Sequence, residues 1–142
     1  MITKKDYSYW IVPIYVNDKW EQEFLLINQK SINWSFWGFP KWHPENWEDG
    51  LVAAKRELFE EVGISDIDID TNKNFEIKYS FKENWEEIQK TVKYRIWYTN
   101  KRNIVIQEEE LNWYKWTDFD NMISLLTHNN TKDKIKKVFN KN

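Results

Sequence analysis

The sequence predicts an α+β fold, a mixed β-sheet flanked by helices. Strand-like stretches dominate the chain, one helical stretch lies near its middle, and one or two short helices close it. "YWIVPIYV" (9–16) is an apolar, β-rich run in which Pro13 predicts an edge position or a bulge. "EFLLIN" (23–28) reads as its partner after the polar turn "NDKWEQ", and the short aromatic "WSFWGFP" leads into a loop. A helix is expected from about Gly50 to Val62. Beyond it, "DIDI" and "NFEIKYSF" (74–81) read as strand material. "TVKYRIWYTN" (91–100) alternates with period two, placing Val92, Tyr94, Ile96 and Tyr98 on one face and Lys93, Arg95 and Trp97 on the other. "NIVI" and "YKWTD" read as short strands. "DFDNMISLL" and "TKDKIKKVF" read as closing helices with Asp118 and Thr131 as N-caps.

A chain of 142 residues suits one domain with a single core. Aromatics reach 18%, with 10 Trp, so a few large side chains can fill that core and leave rings over for stacking on a ligand. The formal charge of −2 gives no overall basic field, which disfavours general nucleic-acid binding. With no cysteine, disulfides, thiolate zinc sites and cysteine nucleophiles are excluded. No stretch approaches membrane-spanning length and "MITKKDYSYW" has no apolar signal core, so a cytoplasmic protein is the expectation.

The central helix concentrates acids. On a wheel of about 100° per residue centred on Leu58, the residues Leu51, Ala54 and Val62 fall within about 40° and form an apolar stripe. Glu57, Glu60 and Glu61 form a contiguous patch beside it, with small Ala53 in the middle. A solvated charged face is the plain reading. The spacing argues against it. Like charges at i,i+3 and i,i+4 each destabilise a helix by about 0.2–0.5 kcal/mol, and acids in the last turn oppose the helix dipole. A divalent cation reverses these penalties, and oxygen-only ligands suit Mg²⁺ or Mn²⁺. Gly63 supplies a left-handed residue to end the helix, and apolar Ile64 follows.

Glu48, seven residues, then "RELFEEVGI" (56–64) resembles the Nudix box, G-x5-E-x7-R-E-U-x-E-E-x-G-U, at every position but the first, where Trp42 stands for glycine. The resemblance implies an α/β/α sandwich with a mixed sheet, as a single domain over residues 1–142 with its core at about 8–138. It also implies Mg²⁺-dependent attack of water on phosphorus in a nucleoside-diphosphate-linked group. Glu60 and Glu61 become the principal metal ligands, and Glu57 a ligand or the base. Arg56 and Glu48 are expected to pair and hold the loop. Trp42 takes the place of a glycine whose carbonyl offers a further ligand, and Trp47 stands where a second glycine is frequent. A bulky residue in a left-handed conformation is an outlier, so a modified turn is expected there. The two tryptophans either pack on the surface, stack on a base, or mark lost activity. The complete set of acids favours a working enzyme.

"FPKWH" (39–43), "KTVKYRIWYT" (90–99) and "EELNWYKW" (109–116) resemble the asymmetric bis(5′-nucleosyl)-tetraphosphatase branch. That likeness implies that Lys41 and Lys90 contact a polyphosphate with His43 close by. It also implies that Tyr79 and Tyr114 face the substrate, with Tyr114 favoured as the ring that stacks on adenine, and that Glu110 is an extra carboxylate serving as ligand or base. Each has a plainer reading: the tyrosines as core, Lys90 as an ordinary exposed lysine, His43 as structural, Glu110 as one acid of an acidic loop. The expectation is a monomeric dinucleoside tetraphosphate hydrolase. An RNA 5′-pyrophosphohydrolase and a catalytically silent nucleotide-binding module are the alternatives.

Overall fold

β1 (Ile2–Val16) occupies the middle of a mixed sheet in a computed structural model that describes residues 2–30, 35–42, 50–65, 67–106, 111–126 and 129–139. The order is β3 (Ser35–Gly38), β2 (Gln22–Lys30), β1, β6 (Glu86–Thr99) and β5 (Asp68–Glu83). The two-residue β4 (Lys41–Trp42) pairs with β1, and β7 (Leu111–Thr117) pairs with β2. β1 and β6 run parallel over Ile2–Tyr15 and Glu86–Thr99; the other pairings are antiparallel. Asp68 and Ile69 of "DIDI" and all of "NFEIKYSF" belong to one long strand, β5, whose register slips between Asp70 and Phe75; Asp66 lies outside the described residues.

Two apolar clusters flank the sheet. Val12, Ile14, Phe24, Val92, Tyr94 and Ile96 enter the first, where Met122 of α2 (Phe119–Leu125) and Ile135 of α3 (Asn129–Val138) cover them. Ile11, Leu25, Ile27 and Trp97 enter the second, beneath Ala54, Leu58 and Val62 of α1 (Gly50–Val62). The period-two alternation of β6 and the apolar stripe of α1 are thus both used as the sequence predicts. The result is an α/β/α arrangement with the sheet between α1 and the α2–α3 pair.

Pro13 is not on an outer strand. Ile11 N donates to Pro40 O (2.8 Å), on the side of β1 away from β6. The Pro13 nitrogen, two residues on, faces the same side, where β4 has ended and the register with β2 starts only at Ile14. The missing N–H falls in that change of partner, so the proline costs no ladder bond.

"NIVI" (103–106) forms no strand. Within it, Val105 N donates to Val62 O (3.1 Å), satisfying one of the terminal carbonyls of α1, and just before it Arg102 O accepts from Trp116 Nε1 (2.8 Å). Gly63 ends that helix at φ 75°, with its N–H on Phe59 O (2.9 Å) and the backbone and side chain of Val105 against it. Thr131 is not a cap. α3 begins at Asn129, and the Thr131 hydroxyl lies 3.2 Å from the Tyr94 hydroxyl, because a buried phenol needs a polar partner more than this exposed helix end needs a side-chain cap.

Asp118 does cap α2. Extended at φ −71° and ψ 174°, it accepts from Asn121 N at 2.9 Å. Asp118→Ala is expected to cost about 1 kcal/mol in chemical denaturation, the usual value of an N-cap.

Asn84 (φ 49°) and Trp85 (φ 66°) join β5 to β6 as a two-residue turn with both residues left-handed. Such a turn matches the twist of the strands and fixes their register, placing Glu83 opposite Glu86 and Tyr79 opposite Lys90. With the parallel partner Ile2–Tyr7, the hairpin extends the sheet past its helices, and this extension is largely exposed.

Candidate active site

On α1 the three acids form a gradient of exposure. Glu61 is 8% exposed and is the one charged side chain in the buried set among the described residues. The Glu57 side chain is about a quarter exposed (24%), and that of Glu60 about half (52%). Arg56 lies along the acidic edge, with Nη1 3.1 Å from Glu60 Oε2 and Nη2 3.5 Å from Glu57 Oε1. Both pairs are partly solvated, so each contributes at most about 1 kcal/mol and is easily exchanged. Glu61 is different. Removing a carboxylate from water costs on the order of several kcal/mol unless a positive charge compensates it.

The donor chemistry fits a hard divalent cation, because it is oxygen only and includes a buried carboxylate one turn from a second. The side chains are not gathered around a point: among the described residues, no three His, Cys, Asp or Glu form a group that could hold a metal. Arg56 instead occupies Glu57 and Glu60. The expected contributors Glu48 and Glu110 lie outside the described residues, as do His43 and Trp47.

β4 joins this helix to the sheet. It packs against α1 and runs antiparallel to β1, with Trp42 opposite Tyr9 and Lys41 opposite Trp10. Trp42 therefore has strand backbone and not a left-handed turn. A side chain at this position demands no glycine conformation, and its carbonyl remains a ladder-type acceptor.

On the sheet face carrying the first cluster, aromatic residues form the floor of a groove. Trp10, Tyr94 and Phe75 lie side by side on β1, β6 and β5, with Tyr94 6.1 Å from Trp10 and 4.5 Å from Phe75, the latter pair nearly parallel. The next row is Ser8, Val92 and Ile77, and the one after it Asp6, Lys90 and Tyr79. α3 supplies Asn130 and Thr131 as a wall. The resulting concavity of about 420 Å³ is lined by Trp10, Ile77, Tyr79, Val92, Tyr94 and these two residues. Burial pushes the Tyr94 hydroxyl above the usual phenol range, an effect partly offset by its hydrogen bond with Thr131, so this group stays protonated.

Tyr79 is 48% exposed and is therefore not a core residue. Lys90 stands directly opposite it and pairs with Asp6 at 2.7 Å. Tyr114 lies elsewhere. It is opposite Ile27 on β7, its strand neighbour Trp116 packs on the second cluster, and it therefore faces the α1 side. The structure thus brings Tyr79 and Lys90 together, with Lys41 two rows away by register, and sets Tyr114 across the sheet. Trp10, Tyr94, Asn130 and Thr131 were not singled out from the sequence as groove residues. The alternation that placed Tyr94 on one face of β6 was the available signal.

Comparison with known proteins agrees with this architecture. The NUDIX domain matches residues 8–139. An RNA pyrophosphohydrolase of Pelagibacter ubique is 28% identical over 130 residues, 80% of each chain. The crystal structure of a C. elegans Ap4A hydrolase binary complex superposes with a TM-score of 0.76 at 24% identity, covering 93% of both chains. The E. coli dihydroneopterin triphosphate pyrophosphohydrolase gives 0.70 at 22% identity over 99% of both.

Proposed function

As this chain belongs to the NUDIX family and is a hydrolase of phosphoric anhydride bonds, we propose that its substrate is a dinucleoside polyphosphate, diadenosine tetraphosphate cleaved to ATP and AMP, and that the reaction needs Mg²⁺ or Mn²⁺. One juxtaposition carries this reading. The acid-bearing helix packs on β4, and β4 is paired with the β1 residue, Trp10, that forms the end of the aromatic groove. Dense negative charge and flat purine faces are the two features of such a substrate, and this arrangement supports recognition of both.

Glu57, Glu60 and Glu61 would hold the cation, with Glu110 and the Trp42 carbonyl completing the set. When bound, the ion supplies charge neutralisation and an activated water. Arg56, which here pairs with Glu57 and Glu60, would pair with Glu48 when those acids hold the ion, and so hold the loop against α1. Glu57 or Glu110 takes the proton of the attacking water. Lys41, Lys90 and His43 neutralise the phosphate chain, and Lys90 exchanges Asp6 for it. Tyr79 stacks on one purine. Tyr114, on the α1 side of the sheet, serves the other end of the substrate.

Hydrolysis of the 5′ end of RNA is a second reading, favoured by the relative named for that activity and by Phe81, whose ring stacks 6.1 Å from Tyr79 and extends the groove outward. Incubating the protein and Mg²⁺ with diadenosine tetraphosphate and with 5′-triphosphorylated RNA separates the readings. ATP plus AMP from the first supports the proposal, and preferential pyrophosphate release from RNA replaces it. Inertness toward both leaves binding alone. Tyr79→Ala is expected to raise KM for the preferred substrate about tenfold, in line with 1–3 kcal/mol for a stacked base, with kcat little changed.

A further inference from the structure

The sheet extension has a second concavity on its opposite face. Because strands alternate, the β1 residues Lys5 and Tyr7, the β6 residues Gln89 and Thr91, and the β5 residues Lys78 and Ser80 share the α1 side. They form two rows, Tyr7–Thr91–Lys78 and Lys5–Gln89–Ser80. These six line a hollow of about 340 Å³, with Tyr79 and Lys90 of the intervening positions completing it. No carboxylate lines it. Two neighbouring lysines are engaged: Lys90 with Asp6 at 2.7 Å, and Lys93 with Glu76 at 4.0 Å and over the rings of Tyr7 and Tyr9. Lys5 and Lys78 have no acidic partner among the described residues. The side chains of Ser80, Gln89 and Thr91 likewise make no hydrogen bond among them.

We propose that this hollow is a second phosphate-binding site, with Lys5 and Lys78 as its cations and Gln89, Ser80 and Thr91 as neutral donors. Two ammonium groups across a strand, with hydroxyl and amide donors between them, match the several oxygens of a di- or triphosphate better than a single carboxylate. The lysines could instead serve only to keep exposed strands soluble. That role requires no ligand, whereas the site proposed here does.

The test uses the full chain in EDTA at low ionic strength, so that α1 carries no metal. Inorganic pyrophosphate, tripolyphosphate and ATP are titrated calorimetrically into the wild type, Lys5→Ala/Lys78→Ala, Lys5→Gln/Lys78→Gln and, as a control at the opposite end of β1, Lys19→Ala. Both double variants are expected to bind at least about tenfold more weakly, while Lys19→Ala binds like the wild type. Loss toward pyrophosphate and ATP alike supports a site for either source of phosphate. Loss toward ATP alone supports one that serves nucleotide chains. Melting temperatures matching the wild type exclude misfolding. The proposal is overturned if the wild type binds none of the three, if the double variants bind undiminished, or if Lys19→Ala loses as much. Because hydrolysis plays no part, these results stand apart from the activity assays above.

Discussion

Glu61→Gln is expected to abolish turnover while leaving the fold intact. Glu61 is the buried end of the acidic gradient on α1, so its charge is the least solvated and the one that most needs a cation. Glutamine keeps the shape and removes the charge. The loss in kcat should exceed about 100-fold, more than the 10–100-fold typical of altering a metal's outer-shell partners. Stability gives a readout independent of activity. Without metal, the variant should remain folded and unfold in a single cooperative transition, because glutamine keeps the shape of the side chain. With saturating Mg²⁺ the wild type should gain stability, by about 2.7 kcal/mol at a hundredfold excess over its dissociation constant, and the variant much less. Full activity in Glu61→Gln would remove the assignment of this helix as the metal site.

Tyr94→Ala should produce the largest loss of stability, about 3–5 kcal/mol, as for other buried aromatic truncations. The ring is 6% exposed, packs face to face on Phe75, stacks against Trp10, and carries the hydroxyl that meets Thr131 of α3. Its removal opens the groove floor and cuts the tie between sheet and C-terminal helix together. Tyr94→Phe isolates the tie. It should cost about 1 kcal/mol and change KM less than twofold, since the stacking floor survives. Guanidinium denaturation and steady-state kinetics on the two variants check this. A cost below 1 kcal/mol for Tyr94→Ala would show that the groove floor is not part of the core.

Residues whose side chains state their own periodicity were legible from the sequence. Ala54, Leu58 and Val62 recur at helical spacing and are fully buried; Val92, Tyr94 and Ile96 alternate and share a cluster. Asp118 sits at a helix start with a side chain suited to cap it. The failures came where tertiary pairing overrode local pattern. "ITKKDYS" has no buried face to announce a strand, and its conformation follows from lying parallel to β6 past the helices. "NIVI" has strand composition, but its Val105 N–H serves the end of α1, and the Arg102 carbonyl before it takes the Trp116 indole. Thr131 carries a capping residue's chemistry and turns it toward a tyrosine 37 positions away.

At the site, the carboxylates were identifiable by spacing, and Trp42 stood out only as a broken pattern. Its strand backbone shows that the position needs no glycine conformation. Which face of the sheet each tyrosine occupies depended on the registers of three strand pairs, and no local pattern in the sequence carries that information. Tyr79 and Tyr114 look equivalent in sequence yet lie on opposite faces.

Crystals soaked in Mn²⁺ together with a non-hydrolysable dinucleoside polyphosphate, measured at the manganese absorption edge, test the central claim most directly. An anomalous peak within coordination distance of Glu61 and of Glu57 or Glu60, with Arg56 displaced from those acids, is the predicted result. An α1 carboxylate patch without manganese, with Arg56 still bound to Glu57 and Glu60 beside the nucleotide, would contradict it.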